Sequence, residues 1–338
     1  MAIREDHQSS STSKGALMQA IVQRGYGTET VLTLGQVPRP TPAADEVLVR
    51  VHAAGLDRGA WHIMTGKPYL LRLAFGFRRP RQPVVGLDLA GTVTQVGVNV
   101  KRFAAGDEVY GIGAGSFAEY AVAKERKLAH KPTHATFESA AVVPVSALTA
   151  LQGLRDVGRV EAGQSVLITG ASGGVGSFAV QLAKAFGAET TAVCRTGKVD
   201  LGSSLGADRV IDYTTEDFAQ GQQKYDLILD VGGNPSLTRL RSSLTPRGTA
   251  VIVGGEGGGN WIGVGRPLRA VVLTPFIRQH FRMFVAKERG ADLELITGLI
   301  DAGTLMPQVD RIYPLAQAPE AMRQLEQRAV KGKLAITV

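Results

Sequence analysis

Seven consecutive residues, Gly170-Ala171-Ser172-Gly173-Gly174-Val175-Gly176, carry the clearest chemistry in the chain. An apolar, β-branched run (Ser165–Thr169) precedes them. Val175, Ala179, Leu182 and Phe186 then recur at helical spacing. A strand, a tight turn and a helix in that order bring free N–H groups and the positive end of a helix dipole to one point. Small residues let a diphosphate approach that point closely. Ala171 stands where a first glycine is often found. The competing reading is a flexible glycine-rich turn, and the strand–helix context weighs against it.

The second such place is Val193-Cys194-Arg195-Thr196-Gly197-Lys198. It ends the next apolar run, where a carboxylate would accept from a ribose 2′-hydroxyl. No Asp or Glu is present there. Arg195 and Lys198 would instead attract a 2′-phosphate, which points to NADPH. The alternative is two solvated loop charges. Gly232, Val253, Gly254 and Gly255 close later apolar runs and are candidates for the same cofactor edge. His62, in Trp61-His62-Ile63-Met64, is a candidate proton donor near neutral pH, against the reading of a helix-surface histidine. Trp61 and Tyr69 are candidates for an apolar pocket wall or for core packing. Asp230 reads as structural, and Cys194 as a small packing residue.

The elements that must position these residues fall into two styles. Short runs at Met18–Gln23, Glu46–His52, Ala90–Val96, Asp107–Ile112 and Phe117–Ala123 are separated by Gly, Pro and Asp. They predict a small, barrel-like, mostly antiparallel β-domain. Helical periodicity over Phe137–Val157 opens a different pattern. Strands are expected at Ser165–Thr169, Glu189–Cys194, Arg209–Ile211, Tyr225–Asp230, Thr249–Val253 and Arg282–Ala286, alternating with helices. Such alternation predicts an α/β domain with a doubly wound parallel sheet. A helix, a strand at Gln308–Tyr313, a helix at Ala318–Arg328 and a strand at Lys333–Val338 follow. The expected division is an extension over 1–17, a first domain of 18–135 with 291–338, and a dinucleotide-binding domain over 136–290.

The 338 residues are 44% hydrophobic and 20% charged, which suits a globular protein. A single cysteine rules out an intramolecular disulfide and a cysteine-based zinc site. The polar, serine-rich start has no apolar signal core, so a cytoplasmic location is expected. The net charge of +8 admits a polyanionic cofactor, or a nucleic-acid or membrane partner. Scattered cations favour the first, so no specific nucleic-acid binding is expected. The exception is Leu70–Gln82, where Arg72, Arg78, Arg79 and Arg81 lie among Leu and Phe. A lid over the cleft is the plainer reading. Weak contact with an anionic membrane surface, RNA or an anionic substrate tail is the alternative.

The chain resembles the zinc-independent quinone oxidoreductase branch of the medium-chain dehydrogenase/reductase superfamily. The resemblance runs from Met18 to Val338. It rests on Met18–Val22, Asp45–Val51, Pro83–Gly91, Gly106–Gly111, Gly115–Tyr120, the Gly170–Gly176 loop and Leu205–Tyr213. It implies a Rossmann domain, a GroES-like catalytic domain, a cleft between them and a homodimer. Asp57 and Leu87 match positions that hold a cysteine and a histidine ligand in the zinc enzymes, so no metal is expected. Lys198 and Tyr213 match residues that bind the 2′-phosphate, and Thr149 matches a threonine near the nicotinamide. Asp57 stands where zinc-free relatives often carry Asn, so it enters as a candidate for accepting from the nicotinamide amide or ribose, or for donating if protonated. The implied function is NADPH-dependent hydride transfer to a quinone or an α,β-unsaturated carbonyl compound. An enoyl-thioester reductase, or an NADPH-binding protein without turnover acting through RNA or a membrane surface, are the alternatives.

Overall fold

Alternation of exposed and buried side chains marks the first strand, Leu17–Gln23, and burial on both faces marks Ser165–Thr169, Glu189–Cys194 and Tyr225–Asp230. The computed structural model describes residues 16–233, 235–253 and 278–338. The expected extension over 1–17 therefore falls almost wholly outside the described residues. The first strand begins at Leu17, one residue earlier than expected.

Strands β1 (Leu17–Gln23) and β2 (Leu32–Pro38) form an antiparallel pair. The next strands are β3 (Glu46–Leu56), β4 (Asp88–Val96), β5 (Glu108–Ile112), β6 (Tyr120–Lys124) and β7 (Leu128–His130). Helices α1 (Arg58–Thr65) and α2 (Arg72–Phe75) lie between β3 and β4. The chain's last strands, β14 (Val309–Pro314) and β15 (Lys333–Thr337), join this group, giving the order β14-β15-β3-β4-β5-β7 with β6 also paired to β3. All pairings here are antiparallel except β14 with β15.

The second sheet is parallel throughout. Its strands are β8 (Ser165–Thr169), β9 (Glu189–Cys194), β10 (Arg209–Asp212), β11 (Tyr225–Asp230), β12 (Leu244–Ile252) and β13 (His280–Met283). The order β10-β9-β8-β11-β12-β13 reverses direction between β8 and β11. In doubly wound sheets the ligand crevice opens at the carboxyl ends of strands flanking such a reversal. This is a Rossmann sheet beside a GroES-like antiparallel domain. One apolar cluster runs from Ala53, Ala90 and Tyr110 of the first sheet to Val166, Ile168 and Val251 of the second.

Several expected boundaries move. The single helix expected over Phe137–Val157 is three pieces: α3 (Phe137–Ala141), α4 (Pro144–Gln152) and a wider π turn at Gly153–Gly158. Pro144 has no N–H for the carbonyl four residues back, so the helix stops and restarts there. The strand expected at Arg282–Ala286 lies at His280–Met283, because pairing with Thr249–Ile252 sets its register. β12 begins at Leu244 rather than Thr249, since Leu244 already pairs with Tyr225 across a register shift. The remaining helices used below are α5 (Gly174–Ala185), α6 (Val199–Ser204), α7 (Leu237–Ser243), α8 (Gly290–Asp301) and α9 (Ala318–Glu326).

Candidate active site

At the reversal point β8 ends in Thr169, and Gly170 turns the chain with φ +66. A Cβ on Gly176 would sit 2.1 Å from the Gly170 carbonyl oxygen and 2.7 Å from Ala171 Cα. Glycine at 176 therefore lets α5 pack against the strand end. A Cβ on Gly173 would meet only the Gly170 oxygen, at 3.4 Å, so that side of the loop is open. Gly173 is the N-cap residue of α5 and has no side chain to cap it. The first-turn N–H groups therefore remain available to an anion. Ala171 is buried, with its N–H donating to the Val193 carbonyl at 3.2 Å, and Val175 packs on the core.

The other side of the crevice is the end of β11. Thr169 Oγ1 donates to buried Asp230 Oδ1 at 2.6 Å, and the Gly232 N–H donates to Thr169 Oγ1 at 3.1 Å. The Gly233 N–H reaches the same Asp230 oxygen, and the Val253 N–H donates to the Asp230 carbonyl. Asp230 thus ties three strand ends together. Gly254 and Gly255 lie outside the described residues.

At the end of β9, Arg195 is exposed, and Tyr213 is 58% exposed with its N–H donating to the Cys194 carbonyl. Strand pairing of Asp212 with Cys194 brings these residues to one edge. The Asp212 carboxylate at that edge accepts from the Thr214 N–H and hydroxyl. Lys198 differs from the exposed cation that the sequence suggests. Its ammonium is buried and donates to the carbonyls of Val330 (2.5 Å) and Arg328 (3.3 Å). Burial, reinforced by the Arg195 charge, lowers its pKa. Two of its three donors are engaged with the segment that leads into β15.

The same segment supplies a residue that the sequence reading did not single out. The Gly332 N–H donates to the Ser172 carbonyl, and the Lys333 stem lies against Gly174, where a Cβ would meet its Cδ at 2.7 Å. Lys333 is 3% exposed and its Nζ has no hydrogen-bond partner among the described residues. It faces the fully buried Asp88 Oδ2 at 3.6 Å, an ion pair longer than a hydrogen bond. Asp88 Oδ1 accepts from the Val145 N–H at 3.1 Å, capping the restart of α4 from the other sheet. Burial first, and the Asp57 charge second, hold the Asp88 carboxyl well above the usual carboxylate range, against the pull of Lys333. The available signal was a lysine opening the apolar strand Lys333-Leu-Ala-Ile-Thr.

Asp57 is the N-cap of α1: its Oδ1 accepts from the Ala60 N–H at 2.9 Å, and its Oδ2 is buried without a partner. His62 does not join it. Five residues along a helix is about 7.5 Å of rise. His62 Nδ1 lies 2.7 Å from the Lys67 carbonyl, which can only accept. The Nδ1 proton is thus engaged by that carbonyl, and a proton given to a substrate would have to leave from Nε2. Thr149 Oγ1 donates to the Val145 carbonyl of its own helix. Trp61 packs against the first domain's core, and Tyr69 lies against Arg72. Among the described residues no group of three His, Cys, Asp or Glu side chains is placed to hold a metal.

This geometry has close counterparts. The family described as "Alcohol dehydrogenase GroES-like domain" matches residues 43–133, and "Zinc-binding dehydrogenase" matches 205–336. The chain is 31% identical to a chloroplast envelope quinone oxidoreductase homolog of Arabidopsis thaliana, over 95% of this chain and 99% of that one. It is 34% identical to a 2-methylene-furan-3-one reductase of Solanum lycopersicum, over 97% and 81%. The solved Escherichia coli quinone oxidoreductase complexed with NADPH superposes with a TM-score of 0.81 at 26% identity, covering 95% and 100%. The chain is an oxidoreductase of the quinone oxidoreductase branch of the medium-chain dehydrogenase/reductase superfamily.

Proposed function

We propose that the chain is a zinc-free, NADPH-dependent reductase of quinones or α,β-unsaturated carbonyl compounds. The observation that carries this reading is Lys333: its stem lies against Gly174 at the start of α5, and its buried ammonium, 3.6 Å from Asp88 Oδ2, has no hydrogen-bond partner among the described residues. A cation and a row of free N–H groups converging from two sheets suit a diphosphate. NADPH supplies a hydride when bound. The chain's residues bind and orient it. The open face at Gly173 admits the diphosphate, and Gly232 keeps the opposite wall low. Arg195, Tyr213 and the remaining Lys198 donor take the 2′-phosphate. Asp57 Oδ2 is left to accept from a bound amide or ribose hydroxyl.

The substrate class is supported by the names of two relatives, a quinone oxidoreductase homolog and a furanone reductase. Absence of zinc is supported by Leu87, whose side chain has no metal-binding atom, at the expected ligand position. The test is NADPH consumption with a quinone, an enone and an enoyl thioester, alongside metal analysis of the dialysed protein. Turnover with a quinone or enone is expected, with well under one zinc per chain and no effect of chelators. Turnover with the thioester alone, no turnover at all, or activity lost on chelation of stoichiometric zinc would overturn the assignment.

A further inference from the structure

Between Asp57 and Asp88 the chain carries six cations (Arg58, Lys67, Arg72, Arg78, Arg79 and Arg81) and no carboxylate. That stretch alone accounts for +6 of the net +8. It also holds Leu70, Leu73, Phe75 and Phe77 as exposed large apolar side chains, with Leu73 at 65% and Phe77 at 74% exposure. Arg72 is not part of the exposed charge. Its guanidinium stacks over Tyr26 (4.4 Å) and Tyr69 (4.6 Å), and its Nε donates to the Gly66 carbonyl. It staples the segment to the turn after β1. Beyond it the loop is closed: the Arg81 N–H donates to the Phe75 carbonyl at 2.7 Å, and the Tyr26 hydroxyl donates to the Gly76 carbonyl. Gly76 has φ +124, and a Cβ there would lie 2.1 Å from the Arg79 carbonyl oxygen. The result is a built tip presenting Phe77, Arg78 and Arg79 outward. Arg78, Arg79 and Arg81 have no ion-pair partner among the described residues.

We infer that the Leu70–Arg81 loop is a docking surface for an anionic lipid bilayer, with Phe77, Leu73 and Leu70 entering the headgroup boundary and Arg78, Arg79 and Arg81 on lipid phosphates. Exposed Phe and Leu alone would favour any apolar partner. Arginines alone would favour any polyanion. Their alternation over one short tip fits the layered chemistry of an anionic membrane surface, apolar beneath and negative above. The loop's internal bonds mean that little ordering entropy is lost on binding. No described helix is long and apolar enough to span a membrane. The inference does not depend on the cofactor assignment.

The test is co-sedimentation of the full chain with phosphatidylcholine vesicles, with and without roughly 30 mol% phosphatidylserine, at low salt and at about 0.15 M. Binding is expected only with phosphatidylserine and should weaken with salt. R78E/R79E should lower partitioning by roughly twentyfold or more, and F77S by roughly tenfold. R241E/R247E, an equal charge change on the far domain, should bind like the parent. Thermal melting and vesicle-free turnover should be unchanged in all. Equal binding to neutral vesicles, or parent-like binding by R78E/R79E, would overturn the inference. So would tighter binding of mixed-sequence single-stranded RNA than of vesicles at the same salt. Loss of vesicle-free turnover with vesicle binding intact would make the loop a lid instead.

Discussion

Lys198 shows how one side chain answers to two demands. Its ammonium holds two backbone carbonyls, which leaves one donor for the proposed 2′-phosphate. Lys198→Ala is expected to raise the NADPH dissociation constant tenfold or more, about 1.4 kcal/mol, and to leave NADH binding nearly level. It also strands two carbonyls, so a stability loss of about 1–3 kcal/mol should accompany it. Arg195→Ala, exposed and without that second role, should show the cofactor effect alone, and calorimetric titration of both cofactors checks the contrast. The pH dependence has a definite sign. Burial lowers the Lys198 pKa in the free protein, and a bound 2′-phosphate would raise it again. NADPH affinity should therefore fall as pH rises above the free-state value, with proton uptake on binding between that value and the higher one of the complex, while NADH affinity stays flat. Equal loss of both cofactors in these variants would remove the phosphate assignment.

The strand–loop–helix unit of β8 and α5 separates folding from binding within four residues. Gly176→Ala forces a Cβ onto the Gly170 carbonyl and Ala171 backbone, neither of which can swing away. A stability loss of about 1–3 kcal/mol is expected from that overpacking, read as a lower melting temperature. Gly173→Ala meets only an ordinary contact at an extended backbone position, φ −91. It should fold like the parent and still weaken cofactor binding, because its methyl occupies the open face of the loop. If Gly173→Ala binds NADPH normally, the diphosphate does not lie there. The unit's class was legible because its signals are local: a β-branched run, glycines, then helical spacing. The break between α3 and α4 was hidden within a helical period, although Pro144 marked it. The first N–H of α4, on Val145, found its acceptor in Asp88, on another sheet.

For the molecule as a whole, β13 is one of the two edge strands of the parallel sheet among the described residues, with β10 at the other edge. It is short, and Met283 at its end and Val285 just beyond are 40% and 87% exposed. An unpaired edge with exposed apolar side chains suits continuation into a second copy. A homodimer through this edge is the expected assembly, and equilibrium sedimentation at micromolar concentration tests it. Val285→Glu with Met283→Lys should yield monomers that retain the melting temperature. A parent that is monomeric throughout that range would exclude the dimer.

The amino-acid sequence by itself determined the two sheet styles, the glycine loop and the cationic end of β9, because periodicity, turn chemistry and charge act over a few residues. It also marked Asp57 and Leu87 as departures from a zinc ligand set through resemblance. Tertiary structure alone decided what lies across the crevice. β15 returns from the chain's end to pair with β3, which brings Lys333 against Gly174 and within 3.6 Å of Asp88. It also set Lys198 on carbonyls of the same returning segment and tied the His62 Nδ1 proton to the Lys67 carbonyl. These contacts join residues far apart in sequence or depend on side-chain direction. Strand order and packing determine them, and no local pattern encodes either.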